Sequence, residues 1–216
     1  MGNGRHSGFS RGVKNVTHKT EGLSMANAAQ YRININAKSF SQRGIPQSRV
    51  NGALSMLHSM MTYLDLPESK LPSIDLVGYT RSNSFTIGSC SLGKLIKLNS
   101  SYFGNDNHLS TLAHEYVHAL EAQLLHKNFS SVFDRANGWN DCLYAKGIIN
   151  SALKSMGESE SSWKSFASSI SSYATTDHSE CLAEAGKVFA KGGGKSDNKF
   201  VSAVMQALKK ELHKSL

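Results

Sequence analysis

Residues 113–120 carry a His-Glu-x-x-His pattern inside a helical hydrophobic repeat, and this pattern limits what the chain can fold into. His114 and His118 are four residues apart, so a helix places both rings on one side, within reach of one metal ion. Glu115 follows the first histidine, where a carboxylate can take a proton from a metal-bound water. The apolar residues around the motif predict a helix with its back in the core and its histidines at a cleft: Leu109, Leu112, Ala113, Tyr116, Val117, Leu120 and Leu124.

The motif needs a third ligand, because the same five-residue pattern arises by chance on ordinary helices and catalytic zinc usually has three protein ligands. The extended pattern with a glycine and a third histidine is absent, since Glu121 and Leu124 stand at those positions. The strongest candidate is Glu180, which begins a later helix and borders its apolar face together with Glu184. A buried carboxylate is costly without a partner. A metal would give Glu180 one, and the imidazole N–H of a metal-bound histidine would give Glu184 one.

Three alternatives to Glu180 as a ligand remain open in the sequence. Asp177 and Glu180 are also spaced as a helix cap, in which the glutamate reaches back to the start of the helix. Glu121 lies on the same helical face as both histidines, although a third ligand on one rigid helix suits a tetrahedral site poorly. His178 is a weaker rival, because its spacing does not place it on the face of Glu180 and Glu184.

Length and composition predict one soluble domain. The chain has 216 residues, of which 39% are hydrophobic, enough for one core. No apolar run approaches the ~20 residues of a membrane span, and residues 1–21 lack an apolar signal segment, so we expect a cytoplasmic or virion-associated protein without membrane contact. The net charge of +8 is spread along the chain without interleaved aromatics, so we do not expect nucleic acid as a partner. Three well-separated cysteines form no Cys-x-x-Cys pair, which argues against a thiolate metal site or a disulfide framework.

Hydrophobic periodicity predicts an α+β domain over residues 30–216, preceded by a flexible basic tail over residues 1–29. Three short strands before the motif helix are expected to form a small antiparallel sheet packed on helices. Asn137-Gly138 is expected to break the chain after the motif helix. The predicted strands are 31–36, 74–77, 84–88 and 94–98, and the predicted helices are 46–64, 109–124, 139–156, part of 161–172, one beginning at Glu180, and 197–214.

Two blocks of the sequence, residues 114–118 and 173–184, resemble the anthrax lethal factor catalytic domain and related zinc peptidases whose ligands are two histidines and a glutamate, the gluzincins. The similarity runs roughly from Ile74 to Phe189. It implies a zincin-like fold with a His-Glu-x-x-His helix and a second, ligand-bearing helix. Asp177 departs from the pattern, because members commonly have asparagine there.

Carried over position by position, the resemblance implies a role for each of six residues. His114, His118 and Glu180 would bind one Zn²⁺ per chain, and Glu115 would be the general base. Tyr173 would donate a hydrogen bond to the oxyanion, and Glu184 would hold a metal-bound histidine.

The implied function is that of a zinc-dependent endopeptidase, which hydrolyses peptide bonds by a metal-activated water. The expected partner is a protein or peptide substrate, bound in extended form along an edge strand at residues 94–98. The alternative is a catalytically inactive zincin-like binding or virion-assembly module with a basic surface. Glu115 argues against this alternative, because a structural metal site has no use for a base at that position.

Overall fold

A small mixed sheet packs on helices, so the protein is α+β as the sequence predicts. The structure is a computed structural model, and it describes residues 25–80, 86–91, 93–103 and 106–216. The strands are β1 (Ile33–Ile35), β2 (Ile74–Tyr79), β3 (Gly88–Ser91) and β4 (Leu95–Asn99). The helices are α1 (Ala37–Ser41), α2 (Gln47–Leu64), α3 (Ser100–Phe103), α4 (Thr111–Asn128), α5 (Val132–Asn140), α6 (Leu143–Ser155), α7 (Trp163–Ser168), α8 (His178–Lys191) and α9 (Lys199–Ser215).

The sheet has the strand order β1-β2-β4-β3, which corrects two predictions. First, β1, β2 and β4 are parallel, and the described antiparallel pair is β3 with β4. Second, residues 94–98 were expected at the edge, but β4 lies between β2 and β3 and both of its sides are paired. The edge strand next to the His-Glu-x-x-His helix is β3, which contacts α4. Of the strand predicted at 84–88, residues 84 and 85 lie outside the described residues, and β3 begins at Gly88.

Helix α4 occupies the centre of the domain. It contacts α2, α5, α6, α8, α9 and strands β3 and β4, and its residues from Thr111 to Ala122 are all buried. Helix α8 comes especially close, because Gly186 faces Val117 and a Cβ there would lie only 2.5 Å from Val117 Cγ2. This close approach sets the distance between the two helices that carry the predicted ligands.

Three other predicted boundaries differ from the structure. Asn137 and Gly138 lie inside α5, and the break falls instead at Cys142, whose φ is +50°. The glycine serves packing here, since a Cβ on Gly138 would lie 2.7 Å from Leu125 Cδ2. The helix predicted within 161–172 covers only Trp163–Ser168. Residues Met25–Tyr31 form a 3-10 helix in which Ala28 is fully buried, so the folded domain begins before residue 30; residues 1–24 lie outside the described residues.

Within the described ranges, none of the helices has the length and hydropathy that would let it cross a lipid bilayer.

Candidate metal centre

Helices α4 and α8 bring His114, His118 and Glu180 together. The two imidazole rings lie edge to face with centroids 4.9 Å apart. Oε2 of Glu180 lies 3.2 Å from Nε2 of His114 and 3.6 Å from Nε2 of His118. One ligand atom from each of the three side chains lies within 4.8 Å of the other two. The ligand set predicted from the sequence therefore forms one cluster.

This cluster has the geometry and chemistry of a metal site. A tetrahedral ion with ~2.1 Å bonds holds its ligand atoms about 3.4 Å apart, close to the two distances from Glu180. Glu180 Oε2 is buried and has no aligned hydrogen-bond donor among the described residues, even though both imidazole nitrogens are near. Acceptor atoms that converge without a hydrogen bond between them fit a shared cation. Two imidazoles and a carboxylate can hold a metal ion here.

The helix cap at the start of α8 forms without using the Glu180 side chain. Oδ1 of Asp177 accepts a hydrogen bond from the backbone N–H of Glu180 at 2.9 Å. The capping alternative is therefore correct for Asp177, while the Glu180 carboxylate faces the histidines. The cap fixes the first turn of α8 and thereby the direction in which Glu180 points.

Glu184 lies one turn beyond Glu180 and contacts the other side of the His114 ring. Its Oε1 is 3.0 Å from Nδ1 of His114, close to it but outside the alignment of an ideal hydrogen bond. Lys187 Nζ donates to the same oxygen at 2.8 Å, and Ser171 Oγ donates to Oε2 at 3.0 Å. A carboxylate at Nδ1 favours the tautomer that carries its proton there and leaves the Nε2 lone pair free toward Glu180.

The carboxylates around His114 shift several pKa values in the metal-free protein. Burial alone would lower the pKa of His114, but Glu180, Glu184 and Glu115 raise it to about 9. Burial would raise the pKa of Glu180, but His114 and His118 hold it well below its ordinary value. A proton on His114 thus supplies the positive charge that a metal cation would otherwise supply to the neighbouring carboxylates.

Glu115 lies beside the cluster, within the same cleft. It is 5% exposed, and burial raises the pKa of its carboxyl, an effect that the two histidines partly oppose. Strand β3 passes close to it: a Cβ on Gly88 would lie 2.7 Å from Glu115 Oε1 and 2.8 Å from Thr111 Cγ2. Only a glycine fits between the edge strand and the carboxylate at this point.

Tyr173 lies in a 3-10 turn, Tyr173–Thr175, that contacts α8. Its ring stacks beside His114 with centroids 6.1 Å apart, and 52% of the residue is exposed at the cleft. Burial raises the pKa of the Tyr173 hydroxyl, and the charges of Glu180, Glu115 and Asp177 raise it further. The hydroxyl therefore stays protonated, and able to donate a hydrogen bond, throughout the neutral pH range.

The two rival ligands lie elsewhere. Glu121 is 1% exposed, and its Oε1 accepts hydrogen bonds from Ser179 Oγ at 3.0 Å and from the Ala145 backbone N–H at 3.3 Å. His178 stacks on Trp163 with centroids 4.1 Å apart. Neither belongs to the group of ligand atoms described above.

Four residues of the site escaped the sequence analysis. Lys187 and Ser171 bind Glu184, Gly88 makes room for Glu115, and Trp139 lies 6.0 Å from the His118 ring between centroids. The contact of Lys187 with Glu184 could have been predicted, since the two residues are three apart on one helix. Trp139 is far from the motif in sequence, and only the packing of α5 brings it near. Ser171 lies two residues before Tyr173, and the turn before α8 brings it to Glu184.

The side chains of the cluster open into a cleft of about 440 Å³, lined by the ligands, Glu115, Tyr173 and residues Gly88–Cys90 of β3. Comparison with models of known protein families, with curated proteins and with solved structures gives no match to this chain.

Proposed function

We propose that this protein is a zinc-dependent endopeptidase of the zincin type. The observation that carries the proposal is the convergence of the His114, His118 and Glu180 ligand atoms within 4.8 Å, next to a buried Glu115 in an open cleft. Two imidazoles, one carboxylate and space for a water match the ligand pattern of catalytic zinc. When bound, Zn²⁺ would polarise the substrate carbonyl and make a bound water more acidic.

The residues around the cluster support the proposal, because each could serve one step of peptide hydrolysis. Glu115 would accept a proton from the attacking water and pass it to the leaving amine, and its raised pKa suits both steps. The Tyr173 hydroxyl would donate a hydrogen bond to the oxygen that becomes negative in the transition state. Glu184 would hold His114 through Nδ1. The outer edge of β3, which has no strand partner among the described residues, would bind an extended peptide.

The test combines metal analysis with a cleavage screen. Native mass spectrometry of zinc-loaded protein should find one zinc per chain, and a library of unstructured peptides should be cleaved at internal bonds. Glu115→Gln should keep the zinc and lose about 10²- to 10⁴-fold in turnover, because a general base typically contributes that much. One zinc with no cleavage in the wild type, or wild-type turnover in Glu115→Gln, would overturn the proposal and favour a metal-binding module.

A further inference from the structure

A second cavity of about 460 Å³ adjoins the metal cleft on the side of α5. Its walls are mainly apolar and come from α4 and α5, with Ala122 and Leu125 on one helix and Val132, Ala136 and Trp139 on the other. Val132 is 74% exposed at the first turn of α5, so its side chain lies open to solvent at the edge of the cavity. The cavity is therefore an apolar pocket that opens to solvent.

The apolar pocket and the metal cleft are neighbours that share part of their lining. Cys90, Trp139 and Asn140 line both of them. Trp139 is the shared wall, since its ring also lies beside that of His118. A chain bound across the metal cleft can therefore place a side chain in the apolar pocket without leaving the surface.

The rim of the apolar pocket is positively charged. Lys94, His126 and Arg135 line it, and none of its described lining residues is acidic. Burial lowers the pKa of His126, and the charges of Arg135 and Lys94 lower it further, so at neutral pH the positive charge of the rim comes from the lysine and the arginine. Arg135 Nη1 donates to the carbonyl oxygens of Phe129 and Ser130, which holds the guanidinium in place, while Lys94 is exposed.

Strand β3 gives the distance between the apolar pocket and the peptide bond that would be cleaved. Gly88 lies against Glu115, and Cys90, two residues along the same strand, lines the pocket. Two residues of strand span about 7 Å. A peptide paired with β3 would therefore place in the pocket a side chain two or three residues from the bond that is cleaved.

We propose that this pocket selects substrates, taking a large apolar side chain whose neighbour along the peptide is acidic. The inference rests on the proposed peptidase function. The apolar walls would bury the side chain, and the basic rim would attract the neighbouring carboxylate while repelling a lysine or arginine.

The first test uses zinc-loaded wild-type protein and decapeptides in which a Leu-Asp pair is moved along one cleaved sequence. At one position, two or three residues from the cut, replacing Leu by Ala should lower kcat/KM about tenfold or more, because an apolar pocket discriminates on that scale. With the pair at that placement, replacing its Asp by Lys should lower kcat/KM by about fivefold, as expected for an exposed charge pair.

Matched variants connect these preferences to the apolar pocket. Ala136→Phe should fill it and remove the preference for Leu over Ala, whereas Asn137→Phe, an equal change at the next exposed position of α5, should keep it. Lys94→Glu should reverse the preference for Asp over Lys. Lys127→Glu makes the same change of charge on an exposed residue that does not line the pocket, and it should leave the preference intact.

Binding of the same peptides, dye-labelled and followed by fluorescence anisotropy, separates the two proposals. Cleavage with no preference at any position, or a preference that Ala136→Phe and Lys94→Glu leave unchanged, would overturn the pocket assignment while the peptidase function stands. Binding that prefers Leu-Asp and depends on Ala136 and Lys94, with no cleavage, would support the pocket and overturn the peptidase function.

Discussion

Glu121 on α4 and Glu180 on α8 were both candidate ligands, and the structure gives them different surroundings. Glu180 faces the cleft, and its Oε2 lies near two imidazole nitrogens without an aligned donor. Glu121 faces the core, and its Oε1 accepts two hydrogen bonds. The histidines hold the pKa of Glu180 down against the effect of burial, whereas burial raises the pKa of Glu121. What distinguishes the two carboxylates here is their surroundings: Glu180 faces two imidazole nitrogens at the cleft, whereas Glu121 faces hydrogen-bond donors in the core.

The largest expected difference between the two glutamates is in metal binding. Glu180→Gln should weaken zinc binding by more than about 100-fold, since loss of a ligand exceeds the 10- to 100-fold effect of losing an outer partner. Glu121→Gln should retain one zinc per chain, because its carboxylate lies outside the cluster. Native mass spectrometry measures the zinc per chain in both variants and the wild type, each loaded with zinc under the same conditions. Zinc lost from Glu121→Gln and kept by Glu180→Gln would reverse the assignment.

The next effect concerns the hydroxyl beside Glu180. Tyr173→Phe should lower kcat by about 10²- to 10³-fold, as removal of one oxyanion donor does, and should leave the zinc content unchanged. Tyr144→Phe on α6 is the matched control, because Tyr144 lies outside the residues that line the cleft. A steady-state assay on one cleaved peptide measures both. Full activity in Tyr173→Phe would remove the residue from the mechanism.

Local sequence signals account for much of the fold and of the cluster. His114 and His118 lie on one helix at fixed spacing, so their proximity follows from helical geometry alone. Glu180 and Glu184 likewise share a helix, and the cost of burying them predicts partners for both. These predictions depend on residues that are close in sequence, and the structure confirms that Glu180 and Glu184 both lie next to His114.

The features that the sequence did not predict depend on contacts between segments that are distant in the chain. The central position of β4 depends on parallel pairing with β2, although β3 lies between them in sequence, and alternation within a strand does not reveal such a pairing. Glycines at 88, 138 and 186 mark close approaches to Glu115, Leu125 and Val117, and only one of the three, Gly138, resembled a turn signal. The choice between Glu121 and Glu180 required the position of Ala145, which lies on a third helix.

A smaller effect is expected when the core-facing glutamate is shortened. Glu121→Ala should destabilise the metal-free protein by about 3 kcal/mol, because it leaves the Ala145 N–H and the Ser179 hydroxyl without their acceptor and opens a cavity. Glu121→Gln should cost much less, since the amide oxygen can still accept both hydrogen bonds. Urea unfolding in the presence of a chelator measures the two variants. Equal stability of Glu121→Ala and the wild type would contradict a structural role for this carboxylate.

The smallest effect is the pH dependence of stability that His114 should produce above pH 6.5. In the metal-free protein, the pKa of His114 is raised from 6.5 to about 9, so its ion pairs stabilise the fold fully below pH 6.5 and are lost as the pH rises through 9. The pKa of Glu180 is lowered from 4.5, so its contribution is present above pH 4.5 and lost in acid. Between pH 6.5 and 8.5 the free energy of unfolding should therefore fall by about 2 kcal/mol.

Urea unfolding of chelator-treated protein at several pH values measures this fall, with His114→Asn as the control in which it should be absent. Zinc should also suppress it, because a bound cation replaces the proton that otherwise balances Glu180 and Glu184. Glu121 should contribute a separate fall that begins at lower pH, since burial raises its pKa above 4.5, and His114→Asn should leave that part unchanged because the hydrogen bonds of Glu121 do not involve His114. An equal fall in His114→Asn would locate the titrating group outside the cluster, and the charge balance between His114 and its carboxylates would then need another explanation.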